Sequence, residues 1–248
     1  MELFDKKISI KKAAQLAKSR SVLDLFDTLG RVDDFSLSAA DLYLDYSKQN
    51  ITKKELEHLV TWAEECNLSD QIQAMFTGDK INNTEQRAVL HTVLRAPSNV
   101  KHQVLGAEAV EVEQTEQHMA QIVEDVCQGK LTGITGEKFT DVLAIGIGGS
   151  YYGIKVGLSA LHPYHSTGLK VHVLANVDGA AVTEKLETLN AATTLIVVIS
   201  KTFTTQETLL NAKAIKSWML AELNNNLAIA KQWYAVSSNV EKAQEFGL

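Results

Sequence analysis

Apolar positions change their period partway along the chain. Through residue 131 they recur three and four residues apart, the spacing of helices with one buried face. Ile10 to Leu29 is rich in Ala, Leu and Lys and stops at Gly30, a residue suited to a helix C-terminus. Thr52-Lys53-Lys54-Glu55 has the form of a capping box, and Leu56, Leu59, Val60 and Ala63 follow it at helical spacing. Thr84 to Leu94 predicts a third helix, ended ahead of Pro97. Gly106 to Gln128 predicts a fourth, acidic outside, with Met119, Ile122, Val123 and Val126 on its inner face and Gly129 closing it.

From Thr132 the pattern differs. Gly133, Gly136 and polar neighbours make a turn-rich bridge. Short apolar runs then alternate with helical stretches. Val142–Ile147, Lys170–Ala175, Thr194–Ser200 and Trp233–Ser237 read as strands, the third with the run Leu-Ile-Val-Val-Ile. Tyr151–Leu161, Ala180–Leu189, Gln206–Leu223 and Val240–Phe246 read as helices. Continuous apolar strands separated by helices predict an α/β fold, a doubly wound parallel sheet between helices with right-handed crossovers. The expected organisation is a helical region over 1–131 and an α/β domain over 132–248.

Composition narrows the function. The 248 residues hold 24 Lys+Arg against 30 Asp+Glu, a formal charge of -6, which disfavours a nucleic-acid partner. An apolar share of 45% supplies a core. The cysteines, Cys66 and Cys127, stand in unrelated contexts, form no disulfide framework or thiolate zinc site, and suit a reducing compartment. Met1 to Lys7 lacks the apolar run of a signal peptide, and no stretch approaches the ~18 apolar residues of a membrane span. The expectation is a cytoplasmic protein without a membrane partner.

Two predicted strand ends carry chemistry suited to an anion, and ligands of such sheets sit beyond the carboxyl ends of the strands. The first is Gly146-Ile147-Gly148-Gly149-Ser150. Glycine lets the backbone turn and approach a ligand closely, and the following helix offers free N–H groups and the positive end of its dipole. The spacing is neither the dinucleotide fingerprint nor a Walker loop, and a bare glycine turn without ligand is the alternative. The second is Ser200-Lys201-Thr202-Phe203-Thr204-Thr205. Five of these six side chains can donate to an anion. Thr204 with Glu207 also fits a capping box, so a plain N-cap competes with ligand contact there. Parallel strands place both loops at one edge, where they can converge on one phosphate. Hydroxyls, backbone amides and few arginines suggest a small phosphorylated metabolite.

The remaining chemistry is sparse. No HxxxH or HExxH zinc pattern and no GxSxG elbow occurs. His162 and His165 flank Pro163 and read as surface histidines. Glu207 is the one carboxylate beside the second loop, better read as a cap or ion-pair partner than as a general base.

These residues resemble the phosphoglucose isomerase family. Met75-Phe76-Thr77-Gly78-Asp79-Lys80-Ile81-Asn82-Asn83-Thr84-Glu85-Gln86-Arg87-Ala88-Val89-Leu90-His91 is similar to its N-terminal signature. Ile145 to Ser150 and Ser200 to Thr208 resemble its two substrate loops, and Glu245 to Leu248 matches at the same point. The resemblance implies two sugar-isomerase domains, a homodimer, and interconversion of glucose 6-phosphate and fructose 6-phosphate in the cytoplasm without metal or organic cofactor. It implies ring opening and a proton shuttled between C2 and C1 through a cis-enediol. It assigns substrate binding to Gly149 and Ser150, and the phosphate site to Ser200, Lys201, Thr202, Phe203, Thr204 and Thr205. The helix expected to open near Asn83, within that signature, is taken as structural rather than catalytic.

Two departures matter. Relatives show leucine, glycine and proline after the first loop, where this chain has Tyr152-Gly153-Ile154. The family also continues well past Leu248, and its glutamate base, ring-opening histidine and later lysine belong to that second half. No catalytic residue is assigned to this chain. The expectation is the phosphate-binding half of an isomerase, a fragment lacking the second sugar-isomerase domain and inactive alone. The competing reading is a non-catalytic sugar-phosphate sensor, which should carry a partner-binding module such as a helix-turn-helix. A nicotinamide-dependent oxidoreductase fails on the glycine spacing.

Overall fold

The computed structural model describes residues 2–165 and 168–248, with the side chains of residues 2–9 left aside. The chain divides into two compact units, Met1–Val112 and Glu113–Leu248.

The first unit is mainly helical: α1 (Glu2–Lys18), α2 (Val22–Leu25), α3 (Arg31–Asp34), α4 (Lys53–Glu65), α5 (Leu68–Thr77) and α6 (Ser98–Leu105). The sequence reading does not predict α3, α5 or α6, and it is contradicted in the following places. The stretch from Ile10 to Leu29 is not one helix. α1 ends at Lys18, and the Ser21 hydroxyl caps α2 by accepting the Leu23 N–H. Next, β1 (Ser36–Ala39) and β2 (Leu42–Asp45) form an antiparallel hairpin with Ser36 opposite Asp45. Its two-residue turn, Ala40-Asp41, has φ of 49° and 59°, the doubly left-handed geometry that matches strand twist. Neither residue is the glycine or asparagine that would announce such a turn.

Finally, Thr84 to Leu94 is not a helix. The Asn82 carboxamide oxygen accepts from the Thr84 N–H, the Thr84 hydroxyl and the Glu85 N–H. Asn82 and Arg87 then exchange both backbone bonds, at 3.1 and 3.3 Å. Those bonds alone would cap a helix, but Gln86 takes a left-handed φ of 54° and the Arg87 N–H goes to Asn82 instead of Asn83, so the chain turns back before a helix can propagate.

The predicted capping box forms. The Thr52 hydroxyl accepts from the Glu55 N–H at 3.2 Å, and the Glu55 carboxylate accepts from the Thr52 N–H at 2.7 Å. The Arg20 guanidinium donates two further bonds to that carboxylate, each 2.8 Å, tying the connection between α1 and α2 to α4. Chiefly because of Arg20, and then the Thr52 bonds, the Glu55 pKa falls from 4.5 to about 2. A carboxylate depressed on folding stabilises above its unfolded pKa and loses that contribution as pH falls through the folded value. Unit 1 should therefore lose stability between about pH 4.5 and 2. Glu55→Gln should flatten that part of the pH dependence in chemical unfolding monitored by circular dichroism. An unchanged acid limb would contradict the role given to Arg20.

The second unit is the α/β layer structure expected. Its strands are β3 (Asp141–Ile145), β4 (Lys170–Leu174), β5 (Thr194–Ile199) and β6 (Trp233–Val236). They make one parallel sheet in the order β4-β3-β5-β6. The helices are α7 (Glu108–Gln128), whose range includes the unit boundary, α8 (Gly149–Ala160), α9 (Gly179–Leu186), α10 (Gln206–Leu223), α11 (Leu227–Gln232) and α12 (Val240–Phe246).

Strand alternation assigns the faces. Leu143, Ile145, Ile196, Val198 and Trp233 point one way, into the main core with Ala212, Ile215 and Met219 of α10. Val142, Leu195 and Tyr234 point the other way, against Ile122 and Val126 of α7 and Phe139. Met119 and Val123, expected on the inner face of α7, are instead exposed, because only the row through Ile122 and Val126 packs there. Among the described residues no helix is long and apolar enough to cross a membrane.

Candidate functional site

The order of the strands fixes where a ligand can sit. From β3 the chain crosses to β4 on one side, then returns past β3 to β5 on the other. The winding direction thus reverses between β3 and β5. In a doubly wound sheet the crevice outside the carboxyl ends at that reversal is the ligand position. Ile145 pairs with Val198, so the loop after β3 and the loop after β5 leave neighbouring strands within a residue of the same level. The two hydroxyl-bearing segments found in the sequence are these two loops.

The first loop turns at Gly148, whose φ of 57° and ψ of -121° suit only glycine. The Ser150 N–H closes the turn onto the Ile147 carbonyl at 3.1 Å. Gly146 is required for space, because a Cβ there would meet the Ser150 carbonyl oxygen at 2.7 Å. Gly148 is the N-cap of α8 and brings no side chain to cap it. Gly148 and Gly149 are exposed, with open space where a Cβ would stand, and Ser150 is half-buried.

The second loop is more tightly built. Ser200 is 2% exposed, its N–H donates to the Val236 carbonyl, and its Oγ lies 3.3 Å from Thr205 Oγ1. Thr202 and Thr204 pair their hydroxyls at 2.7 Å. Phe203 takes a left-handed φ of 52° and buries its ring edge-on against Phe246. Phe203 therefore anchors the loop in the core, and it is the backbone, not the ring, that stands at the loop. Lys201, Thr202 and Thr204 are exposed, and Thr205 is half-buried.

The capping box expected from Thr204 and Glu207 does not form. Thr205 is the N-cap of α10 and makes no side-chain capping bond, while the Thr204 hydroxyl is directed to Thr202. The reason is geometric: with Thr205 at the cap, Thr204 stands one residue too early to reach the first-turn N–H groups. Both helices at the reversal, α8 and α10, thus begin without a side-chain acceptor on their first N–H groups. Two such N-termini, two serines and three threonines at one sheet edge form an array of donors with little carboxylate nearby. Chemically, that array suits an oxyanion.

Three residues escaped the sequence reading. The Ser237 hydroxyl, the Ser238 hydroxyl and the Ser238 N–H all donate to the Lys201 carbonyl, at 3.1, 2.7 and 3.0 Å. They hold the second loop against the chain that follows β6. Asn211 of α10 likewise donates to the Asn176 carbonyl beyond β4, at 3.0 Å. Two serines after a strand are an ordinary turn signal, so nothing local pointed to their partner.

Among the described residues no group of three or more His, Cys, Asp or Glu side chains could hold a metal ion. His162 and His165 are exposed, as expected, while His172 bonds Asp141 at 2.7 Å. Glu207 stands exposed on the first turn of α10.

Comparison with known proteins identifies the fold's lineage. The family described as phosphoglucose isomerase matches residues 45–248. The chain is 61% identical over 253 aligned positions to glucose-6-phosphate isomerase 2 of Colwellia psychrerythraea, covering 97% of this chain and 46% of that protein. It is 48% identical to the glucose-6-phosphate isomerase of Shewanella loihica, covering 95% of this chain and 44% of that one. The crystal structure of a glucose-6-phosphate isomerase from Chlamydia trachomatis superposes with a TM-score of 0.70 at 26% identity, over 94% of this chain and 44% of that one. The chain spans about half the length of the curated relatives it matches. With its signature segments, its parallel sheet and both glycine- and hydroxyl-rich loops in place, the chain belongs to the phosphoglucose isomerase family.

Proposed function

We propose that this chain supplies the phosphate-binding half of a glucose-6-phosphate isomerase. The observation that carries the reading is the position of both loops at the reversal between β3 and β5. Gly149 and Ser150 approach the substrate from the first loop. Ser200, Thr202, Thr204 and Thr205 give hydroxyls from the second, Phe203 its backbone, and Lys201 a charge. The phosphoryl oxygens take the place of the missing caps on α8 and α10.

In the complete enzyme, anchoring the phosphate fixes the opened sugar so that one base can move a proton between C2 and C1 through a cis-enediol. That positioning supplies orientation only. The proton transfer needs a base within hydrogen-bond reach of the carbon acid. We assign no catalytic base to residues 1–248, and none to Glu207, which lies at the phosphate end of the site. The second sugar-isomerase domain brings that base, and the full-length enzyme works as a cytoplasmic homodimer on soluble sugar phosphates.

The test pairs a coupled isomerase assay with calorimetric titration, on chain purified from a host lacking its own isomerase. The expected outcome is saturable, weak binding of fructose 6-phosphate with no turnover above buffer. Turnover by the chain alone would overturn the assignment of the base to the other half. Absence of any saturable heat would overturn the phosphate site.

A further inference from the structure

Unit 2 holds a second concentration of cationic chemistry that the isomerase reading does not use. A groove of about 630 Å³ runs beside β4, the edge strand of the sheet. Lys155 of α8, Lys170 and His172 of β4, Lys185 of α9, and His162 and His165 of the connecting loop line it. Among the described residues the lining contains no carboxylate. None of the three lysines makes an ion pair among the described residues, although Lys185 is half-buried. The chain as a whole is acidic, at -6, so this gathering runs against its average.

Asp141, the strand neighbour of Lys170, is already engaged. Asp141 accepts from His172 at 2.7 Å through one oxygen and from the Thr140 hydroxyl at 2.7 Å through the other. Thr140 is joined in turn to Thr193 at 2.9 Å. This network holds the His172 ring by Nε2 and leaves the groove's lysines without an internal counter-ion. Lys170 pairs with Asp141, the first residue of β3, so this end of the groove lies by the start of the strands. The hydroxyl loops follow their other ends.

We propose that the groove is a second anion site, separate from the hydroxyl loops, for a compact ligand bearing two phosphoryl groups. Three uncompensated lysines exceed what one phosphate would neutralise. The volume falls in the range of small-molecule sites rather than of a single ion. Lys155 and Lys185 face the ligand from two helices, and Lys170 from the strand edge between them. Such a site recognises charge from several directions, whereas the loops at the reversal recognise one phosphoryl group through neutral donors.

Inorganic pyrophosphate is the probe, with amide NMR on the whole chain. Pyrophosphate should shift the amides of Lys155–Ser159 and Lys170–His172 saturably. Lys155→Ala/Lys185→Ala should weaken that isotherm at least about tenfold, and Lys155→Arg/Lys185→Arg should retain it. Ser200→Ala/Thr205→Ala should leave it unchanged, which separates this site from the isomerase phosphate site. Shifts confined to residues 146–150 and 200–205 would overturn the proposal, as would equal affinity in the double alanine variant.

Discussion

Replacing Gln232 with leucine is expected to destabilise the α/β unit by about 3 kcal/mol or more, the loss from several buried polar groups left unpaired. Gln232 ends α11 and is fully buried. Its Oε1 accepts the Ile134 N–H at 2.9 Å, while its Nε2 donates to the carbonyls of Ala191 at 2.8 Å and Thr194 at 2.9 Å. One side chain thus joins the bridge preceding β3 to the segment entering β5. Leucine fills similar space and strands one N–H and two carbonyls away from water. Gly133 makes the same region intolerant of bulk, since a Cβ there would meet the Ala192 carbonyl oxygen at 2.1 Å. Urea unfolding should show the midpoint of the α/β unit displaced well below that of the parent. A change under about 1 kcal/mol would mean that water reaches the vacated groups and that the network is not buried in solution.

The second large effect concerns the ligand. Ser200→Ala/Thr205→Ala should weaken fructose 6-phosphate binding by roughly a hundredfold, two bonds to a charged acceptor being removed. The two hydroxyls already stand 3.3 Å apart, and Ser200 is held by its buried surroundings. Little entropy remains to be lost when a phosphoryl oxygen enters between them. Lys201→Met should act more weakly and mainly at low salt, because the lysine is exposed and its charge is screened. Calorimetric titration separates these cases, with circular dichroism confirming that the double variant is folded. Affinity within twofold of the parent would remove Ser200 and Thr205 from the site.

How much of this was legible beforehand follows from the range of the interactions. β3 and β5 are covered on both faces, so they appear in the sequence as continuous apolar runs. Their following loops announce themselves through glycines and hydroxyls. Thr52 and Glu55 form their box because the partners are three residues apart, and that spacing is local. Thr204 and Glu207 have the same spacing and form none, because the turn through Phe203 shifts the cap to Thr205. The hairpin at Ser36–Asp45 was hidden because its turn, Ala40-Asp41, carries neither the glycine nor the asparagine that marks such a turn and puts an alanine at positive φ. The helix expected from Thr84 gives way to a turn in which Gln86 is left-handed and Asn82 bridges Arg87, neither of which propensity registers. Gln232 reaches partners 38, 41 and 98 residues away, and Ser238 reaches Lys201 across 37. Such contacts exist only once the sheet has formed.

In the proposed site one phosphoryl group is held jointly by the loop after β3 and the loop after β5. Amide NMR titration of the chain with fructose 6-phosphate tests it most directly. Gly149 and Ser150 should shift together with residues 201–205 along a single isotherm. Response of one loop alone, or of the two loops with different dissociation constants, would contradict it.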